Sequence, residues 1–129
     1  MENTKTNAVR IILFCVFIAA IIAVISFVVG STGTSSKYND FAQCLTQKKL
    51  KFFGAFWCPH CQAQKAAFGG GAQFLPYIEC SNPDRSQNTT CSDAKIESYP
   101  TWEFTDGSRL TGEIPLAQLA EKTGCTLPK

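Results

Sequence analysis

Hydrophobic positions divide the chain into an apolar N-terminal run and a mixed remainder. Residues 11–29 contain a single polar residue, Ser26, and no charge occurs from Ile11 through Ser36. A helix of this length would measure about 28 Å, close to the hydrocarbon thickness of a bilayer, and a segment that is apolar on all sides leaves no face for water. The pattern predicts one N-terminal transmembrane helix over residues 11–29.

Charged residues on either side of this run predict its orientation. Lys5 and Arg10 precede it, whereas Lys37 follows it with Asp40 close by to offset the charge. Positive flanks favour the cytoplasmic side of a membrane, so we expect the N-terminus in the cytoplasm and the rest of the chain outside it. The alternative to a retained signal anchor is a cleaved signal peptide that ends at the small residue Gly30.

The other positions alternate between short apolar runs and clusters of turn-forming residues. Leu50–Trp57 is an apolar, aromatic run of strand length in which only Lys51 is charged, and its lack of polar alternation is typical of a central strand covered on both faces. Asp40 is the expected N-cap of the first helix, Asp106-Gly107 is typical of a hairpin turn, and Gly124 is typical of a helix end. The predicted helices cover Asp40–Lys49, Cys58–Phe68, Ser92–Ile96 and Pro115–Thr123, and the predicted strands cover Leu50–Trp57, Tyr77–Cys80, Thr101–Thr105 and Ser108–Glu113.

This order of elements predicts an α/β sandwich with a central mixed sheet flanked by helices. The domain organisation follows from it and from the apolar run. We predict a cytoplasmic N-terminus over residues 1–10, a signal anchor over 11–29, a flexible linker rich in Gly, Ser and Thr over 30–37, and a folded domain over 38–129.

Charge and cysteine content reduce the number of function classes that fit the sequence. The net charge is only +2 over 129 residues, and no basic cluster exceeds residues 48–51, so nucleic-acid binding is not indicated. Seven cysteines are many for a cytosolic protein of this size, and an odd number leaves at least one thiol unpaired. Cys15 lies in the apolar run, where we expect it to act as a small apolar side chain.

The strongest chemical signal is Trp57-Cys58-Pro59-His60-Cys61. Two thiols three positions apart on one helical turn can form a disulfide and exchange it with another thiol. Cys58 at the expected helix start would meet free backbone N–H groups and the positive end of the helix dipole, which stabilise a thiolate. Cys61 is then the shielded resolving thiol. Pro59 suits the first helical turn, and His60 is expected to stabilise the thiolate and make the disulfide more oxidising.

Other interpretations of this motif stay open. A Cys-x-x-Cys pair can be half of a zinc site, but Cys80 and Cys91 are too far apart in sequence to supply the second such pair, so we expect no metal. An inert structural disulfide is disfavoured because so short a loop constrains the unfolded chain little. An ordinary exposed histidine is the alternative for His60.

Three segments carry a resemblance to a known family. Phe53–Cys61 resembles the strand-to-helix junction of the thioredoxin superfamily, residues 99–101 (Tyr-Pro-Thr) resemble its cis-proline loop, and Asp106-Gly107 resembles its last hairpin. The resemblance covers residues 38–125. It is strongest to the thioredoxin-like domain that accompanies bacterial homologues of vitamin K epoxide reductase.

The resemblance implies a thioredoxin-like sandwich and a role for each matching residue. Cys58 would be the exchanging nucleophile and Cys61 the resolving thiol, with Pro59 and His60 between them and Pro100 as a cis-proline facing the pair. The resemblance also implies substrate contacts, with the backbone before Pro100 pairing with an extended chain. The residues expected to make these contacts are Trp57, Tyr99 and Thr101.

One position departs from the family. Cytosolic thioredoxins usually carry a buried aspartate six residues before the first cysteine, and here that position is Phe52. Another proton acceptor or water must therefore serve Cys61. Glu103 follows the cis-proline loop, but the sequence does not indicate where its side chain points. The departure favours an oxidase-type exchanger over a general reductase.

Four cysteines remain, and they allow three pairings. We predict a Cys80–Cys91 disulfide that tethers a polar loop, and a Cys44–Cys125 disulfide that joins the first helix to the C-terminus. Structural disulfides persist in oxidising compartments, which agrees with the predicted topology. The alternatives are four reduced thiols, or a second redox-active pair at Cys80 and Cys91.

These expectations combine into one hypothesis. The chain is predicted to be a membrane-anchored, extracytoplasmic thiol–disulfide oxidoreductase that acts on protein thiols, with no cofactor besides the Cys58–Cys61 disulfide. The resemblance implies a quinone-reducing membrane partner similar to vitamin K epoxide reductase, which would reoxidise the pair as secreted proteins are oxidised. The alternatives are a disulfide reductase or isomerase fed by a membrane electron donor, and a non-catalytic thioredoxin-fold module that binds peptides.

Overall fold

The structure is a computed structural model that describes Asn7, Arg10 and residues 12–22 and 37–129. Contacts divide the chain into two compact units, Met1–Thr34 and Ser35–Lys129. In the first unit, residues 12–22 are helical and their side chains are exposed.

The predicted membrane span is described only in part. Positions 11 and 23–29 of the span, and 30–36 of the linker, lie outside the described residues, as does most of the segment 1–10. Among the residues that are described, no helix is both long and apolar enough to cross a bilayer.

The second unit is a mixed α/β fold with a four-stranded sheet flanked by helices. The strand order is β2-β1-β3-β4, with β1 parallel to β2 and antiparallel to β3, and β3 antiparallel to β4. The α-helices are α1 (Asn39–Gln47), α2 (Pro59–Ala67), α3 (Thr89–Asp93) and α4 (Leu116–Thr123), a 3₁₀ helix covers Gly69–Phe74, and the strands are β1 (Lys51–Gly54), β2 (Tyr77–Glu79), β3 (Thr101–Glu103) and β4 (Arg109–Thr111).

β1 is covered on both faces after its exposed first residue, Lys51, as the apolar sequence that follows predicts. Successive side chains of a strand point to opposite faces, so Phe52 and Phe53 enter different clusters. Phe52 stacks on Trp102 with ring centroids 4.5 Å apart, in the larger core that also holds Phe41 and Phe68. Phe53 packs on the other face in a smaller cluster with Cys80, Cys91 and Ile96. The central strand is therefore anchored in the clusters on both faces of the sheet, which fixes the start of the segment that follows it.

Several element boundaries differ from the predicted ones. Asp40 is not the N-cap of the first helix, because α1 begins at Asn39 and Tyr38 precedes it without a side-chain cap. The predicted strand Leu50–Trp57 ends early, at Gly54, because a turn follows in which Cys58 N donates to Ala55 O at 3.0 Å. This turn separates the strand from α2 and places Cys58 at the helix start.

The short helix after the polar loop also lies earlier than expected. It covers Thr89–Asp93 instead of Ser92–Ile96, because the Asn88 side chain accepts from Cys91 N at 3.1 Å and so caps the helix. An Asn cap satisfies one of the free N–H groups of the first turn. Gly124 ends α4 in the left-handed region at φ 71°, which is the predicted helix stop.

Candidate active site

The two thiols of the Cys-x-x-Cys motif lie at the N-terminus of α2. Cys58 is the N-cap residue, Pro59 occupies the first turn, and Cys61 N donates to Cys58 Sγ at 3.4 Å. Both residues are thiols in the structure, with 5% of Cys58 and 1% of Cys61 exposed. A thiolate at Cys58 would therefore be stabilised by a backbone N–H and by the helix dipole.

The loop before β3 faces Cys58. The Tyr99–Pro100 peptide bond is cis, and Pro100 is fully buried. Cys58 Sγ lies 3.7 Å from Tyr99 O, close to the backbone that precedes Pro100. Thr101 opens β3, and its hydroxyl donates to Ser98 O at 2.8 Å. The pairing of β3 with β1 brings this loop to the start of α2.

The two aromatic residues that directly precede the buried Cys58 have exposed side chains. Phe56 is 48% exposed and Trp57 is 40% exposed, although both are large and apolar. The Trp57 ring meets the Tyr99 ring edge to face, with centroids 6.3 Å apart. The structure thus brings together the three residues Trp57, Cys58 and Tyr99, whose roles in exchange and substrate contact remain predictions.

The His60 ring contacts the carboxylate of Glu113. Its Nδ1 lies 2.7 Å from Glu113 Oε1, and both side chains are largely exposed. None of the hydrogen bonds among residues 37–129 joins His60 to Cys58. Gln64 holds the neighbouring Ile114, donating to its carbonyl at 3.1 Å and accepting from its N–H at 2.6 Å. The buried Gln64 therefore fixes the backbone beside Glu113.

Cys61 is packed against the end of β1. A Cβ on Gly54 would lie 2.9 Å from Cys61 Sγ and 2.8 Å from the Tyr77 ring, so only glycine allows both to approach the strand here. Burial, followed by the hydrogen bond with Cys58, raises the pKa of Cys61 to about 12. The nearby charge of Lys65 opposes that rise. Cys61 is therefore a shielded thiol that needs help to lose its proton.

A cluster of Lys65, Tyr77 and Glu79 lies next to Cys61. Lys65 Nζ is 3.1 Å from the centroid of the Tyr77 ring, and Tyr77 OH donates to Glu79 Oε2 at 2.8 Å. The other oxygen, Glu79 Oε1, accepts from Phe56 N at 3.1 Å and Ser81 N at 2.9 Å. Burial lowers the pKa of Lys65, and burial together with the Glu79 hydrogen bond raises the pKa of Tyr77.

Glu103 does not provide the acceptor for Cys61. Its carboxylate forms ion pairs with Lys51 at 2.7 Å and with Arg109, and the hydrogen bond from Lys51 is the main cause that lowers its pKa. Phe52 occupies the core on Trp102. In residues 37–129, the titratable groups near Cys61 besides Cys58 are instead Lys65 on α2 and the pair Tyr77 and Glu79 on β2.

The remaining four cysteines of the second unit are paired. Cys44 bonds to Cys125 with Cα atoms 5.9 Å apart, and Cys80 bonds to Cys91 with Cα atoms 5.3 Å apart. Cys15 is exposed within the helical residues 12–22 and has no disulfide partner. Within the described segments, no three His, Cys, Asp or Glu side chains are grouped as metal ligands.

A comparison with known proteins found a relative with a stated activity. No family model matches the chain. The chain is 49% identical over 103 residues to the thiol-disulfide oxidoreductase LTO1 of Arabidopsis thaliana. The match covers 74% of this chain. It covers 27% of LTO1, so the chain spans about a quarter of the length of that relative.

Sequence reasoning found the thiols and the proline loop but not the groups around Cys61. The sequence could have predicted that Lys65 lies near Cys61, because it follows Cys61 by four residues on the same helical face. No local pattern predicts the positions of Tyr77 and Glu79, since they reach the site through the pairing of β2 with β1. Ser81, Gln87 and Glu113 were likewise missed.

Proposed function

We propose that this chain is a thioredoxin-like thiol–disulfide oxidoreductase whose exchanging residue is Cys58 and whose resolving residue is Cys61. The observation that carries the proposal is the position of Cys58 Sγ, at a helix N-terminus and 3.7 Å from Tyr99 O beside the cis-proline. An extended substrate that paired with the Tyr99 backbone would bring its own sulfur to Cys58. The named activity of LTO1 supports the same chemistry.

The proposed oxidation proceeds in two exchanges. A substrate thiolate attacks Cys58 Sγ of the Cys58–Cys61 disulfide, a mixed disulfide forms, and Cys61 leaves with the electron pair and takes a proton. A second substrate thiolate then attacks the substrate sulfur of the mixed disulfide, and Cys58 leaves as a thiolate at the N-terminus of α2. The substrate loses two electrons and the enzyme pair gains them.

Net oxidation of secreted proteins is the proposed direction. The helix N-terminus stabilises the reduced Cys58 thiolate, which makes the disulfide a stronger oxidant. The two disulfides outside the motif are suited to an oxidising compartment. We propose an extracytoplasmic domain anchored by residues 11–29, with protein thiols as substrates. A quinone-reducing membrane protein resembling vitamin K epoxide reductase would reoxidise Cys58 and Cys61.

Trapping of mixed disulfides tests the exchange. In the Cys61→Ala variant the Cys58 thiolate can still attack a disulfide of an oxidised substrate, but no Cys61 thiol is present to displace that substrate, so we expect disulfide-linked complexes through Cys58 that a reductant releases. The matched controls are Cys58→Ser, which should form none, and Cys15→Ser, which should behave as wild type. If the Cys58→Ser variant retained its function in cells, that result would support a peptide-binding module and overturn the proposal.

The reduction potential of the Cys58–Cys61 pair tests the direction. We expect a value well above that of cytosolic thioredoxin, which is about −270 mV. Equilibration of the full chain with glutathione buffers measures it. A value near the thioredoxin figure would contradict the oxidase and favour a reductase fed by a membrane donor.

A further inference from the structure

A small polar loop lies beside the two aromatic residues that flank Cys58. Ser81 and Gln87 face each other as an isolated antiparallel bridge, and residues 81–87 form a tight excursion between them. Inside this loop, Asn82 N donates to Ser86 O at 2.9 Å and Arg85 N donates to Asn82 O at 2.9 Å. We refer to residues 81–87 as the bridge loop.

The base of the bridge loop is fixed to the sheet. Cys80 N donates to Gly54 O at 2.7 Å, and Asn88 N donates to Cys80 O at 2.8 Å. The Asn88 side chain donates to Glu79 O at 2.7 Å, and the Cys80–Cys91 disulfide closes the segment. The base of the bridge loop is therefore fixed to the end of β1, the strand that precedes Cys58 and α2.

One side of the bridge holds Trp57. The indole Nε1 donates to Ser81 Oγ at 2.8 Å, while Ser81 Oγ itself donates to Asn82 O at 2.9 Å. A tryptophan with 40% of its surface exposed has many accessible rotamers without such a partner. Ser81 selects the one in which the ring meets Tyr99, the residue whose carbonyl faces Cys58 Sγ.

The other side of the bridge holds Tyr99. Gln87 Nε2 donates to Tyr99 OH at 2.7 Å and to Ile96 O at 2.7 Å. It thereby fixes the ring of the residue whose carbonyl faces Cys58 Sγ. The two rings then meet edge to face, so both halves of the aromatic pair depend on the same bridge.

We propose that Ser81 and Gln87 are positioning residues that fix Trp57 and Tyr99 as an apolar wall for an extended polypeptide beside Cys58. This inference rests on the proposed thiol–disulfide exchange and names its substrate class. A polypeptide with apolar side chains next to its cysteine gains contact with the wall. A small dithiol needs only access to the sulfur of Cys58. The bridge loop therefore selects polypeptide thiols over low-molecular-weight thiols.

The test compares two substrates with the oxidised full chain. One is a reduced peptide with two cysteines and neighbouring aromatic residues, and the other is dithiothreitol. For Ser81→Ala and Gln87→Ala we expect kcat/KM with the peptide to fall about fivefold more than with dithiothreitol, mainly through a higher KM, as for loss of one hydrogen bond. Ser81→Thr keeps the hydroxyl and should restore the peptide activity.

The matched controls are a serine and a glutamine that contact neither aromatic ring. Ser92 donates to Thr89 O at 3.1 Å, and Gln73 donates to Gly70 O at 2.9 Å. Ser92→Ala and Gln73→Ala should keep the wild-type ratio between the two substrates. A double-mutant cycle of Gln87→Ala with Tyr99→Phe should be strongly non-additive, because both changes remove the same hydrogen bond.

Each failure has a distinct meaning. Equal losses with both substrates, additive effects in the cycle, or the same loss in the control variants would overturn the positioning role. If the wild-type chain does not oxidise dithiothreitol, the proposed exchange itself is wrong, and the positioning role falls with it. Variants that do not fold are recognised by their circular dichroism, and the folded Ser81→Thr and Tyr99→Phe variants then decide the outcome.

Discussion

The thiol of Cys61 is buried, and it is the group that leaves when a mixed disulfide forms at Cys58 and that attacks Cys58 when the mixed disulfide reverts to the Cys58–Cys61 disulfide. Because burial raises its pKa to about 12, the fraction present as thiolate is small at neutral pH. Among the described residues, the titratable groups near Cys61 are Cys58, Lys65, Tyr77 and Glu79. The positive charge of Lys65 favours the thiolate and offsets part of the effect of burial.

We expect the rate of resolution to rise with pH, because a group below its pKa gains about tenfold in thiolate for each pH unit. Lys65→Met should slow resolution about two- to fivefold at pH 7, since a partly exposed charge contributes modestly. Lys122→Met is the control, because Lys122 lies over the Phe104 ring, away from the thiols. The reduced chain is mixed with the disulfide of thionitrobenzoate. Attack by Cys58 releases one thionitrobenzoate, and the rate at which Cys61 displaces the second one is measured. A rate independent of pH would contradict the expectation.

His60 is expected to tune the couple through its charge and position, although its ring is held by Glu113. His60→Ala should make the pair more reducing by about 10–30 mV, the equivalent of one weak polar interaction with the thiolate. Glu113→Gln should shift the reduction potential by a smaller amount, because it removes the carboxylate partner of the His60 ring but leaves the imidazole itself in place. Glutathione equilibration measures both. Unchanged potentials in both variants would indicate an ordinary exposed histidine.

At the scale of elements, the sequence predicts most of the order and little of the contact between neighbours. The apolar run Leu50–Trp57 identified the central strand. Asp106-Gly107 and Gly124 correctly marked a turn and a helix end, because turns and helix ends are local effects of single residues. The helix after the polar loop was misplaced because the cap at Asn88 competes with several other polar residues nearby. Proximity of β2 to Cys61 depends on strand pairing, which no local pattern encodes.

The two disulfides of the second unit should differ in their contribution to the free energy of unfolding. In the chain-entropy model, Cys44–Cys125 closes a loop of 81 residues and contributes about 4.5 kcal/mol, whereas Cys80–Cys91 closes a loop of 11 and contributes about 3 kcal/mol. Paired Cys→Ala variants with urea unfolding measure the difference. Greater destabilisation from loss of Cys80–Cys91 would show that this disulfide acts mainly through the native bridge loop.

At the scale of the whole molecule, the N-terminal run decides where the chemistry would take place. We expect the full chain to remain with membranes during alkaline carbonate extraction. A lysine within the run costs about 2.5–3.5 kcal/mol of insertion free energy, so a Phe17→Lys and Ile21→Lys double variant should be released. Asn7→Lys, outside the run, is the control. Release of the wild-type chain would contradict the anchor, and a shortened product would favour the cleaved signal peptide.

The Cys44–Cys125 bond also determines how the second unit would respond to mechanical load. The bond joins the first helix to the segment after the last one. A pulling force applied at Lys37 and Lys129 would pass through a covalent link near these two positions. The sheet, the bridge loop and both active-site thiols would lie outside the path of the force. Only reduction of this bond would allow the roughly 280 Å of enclosed chain to extend under load. The extensibility of the second unit would therefore depend on the redox state of a disulfide other than Cys58–Cys61.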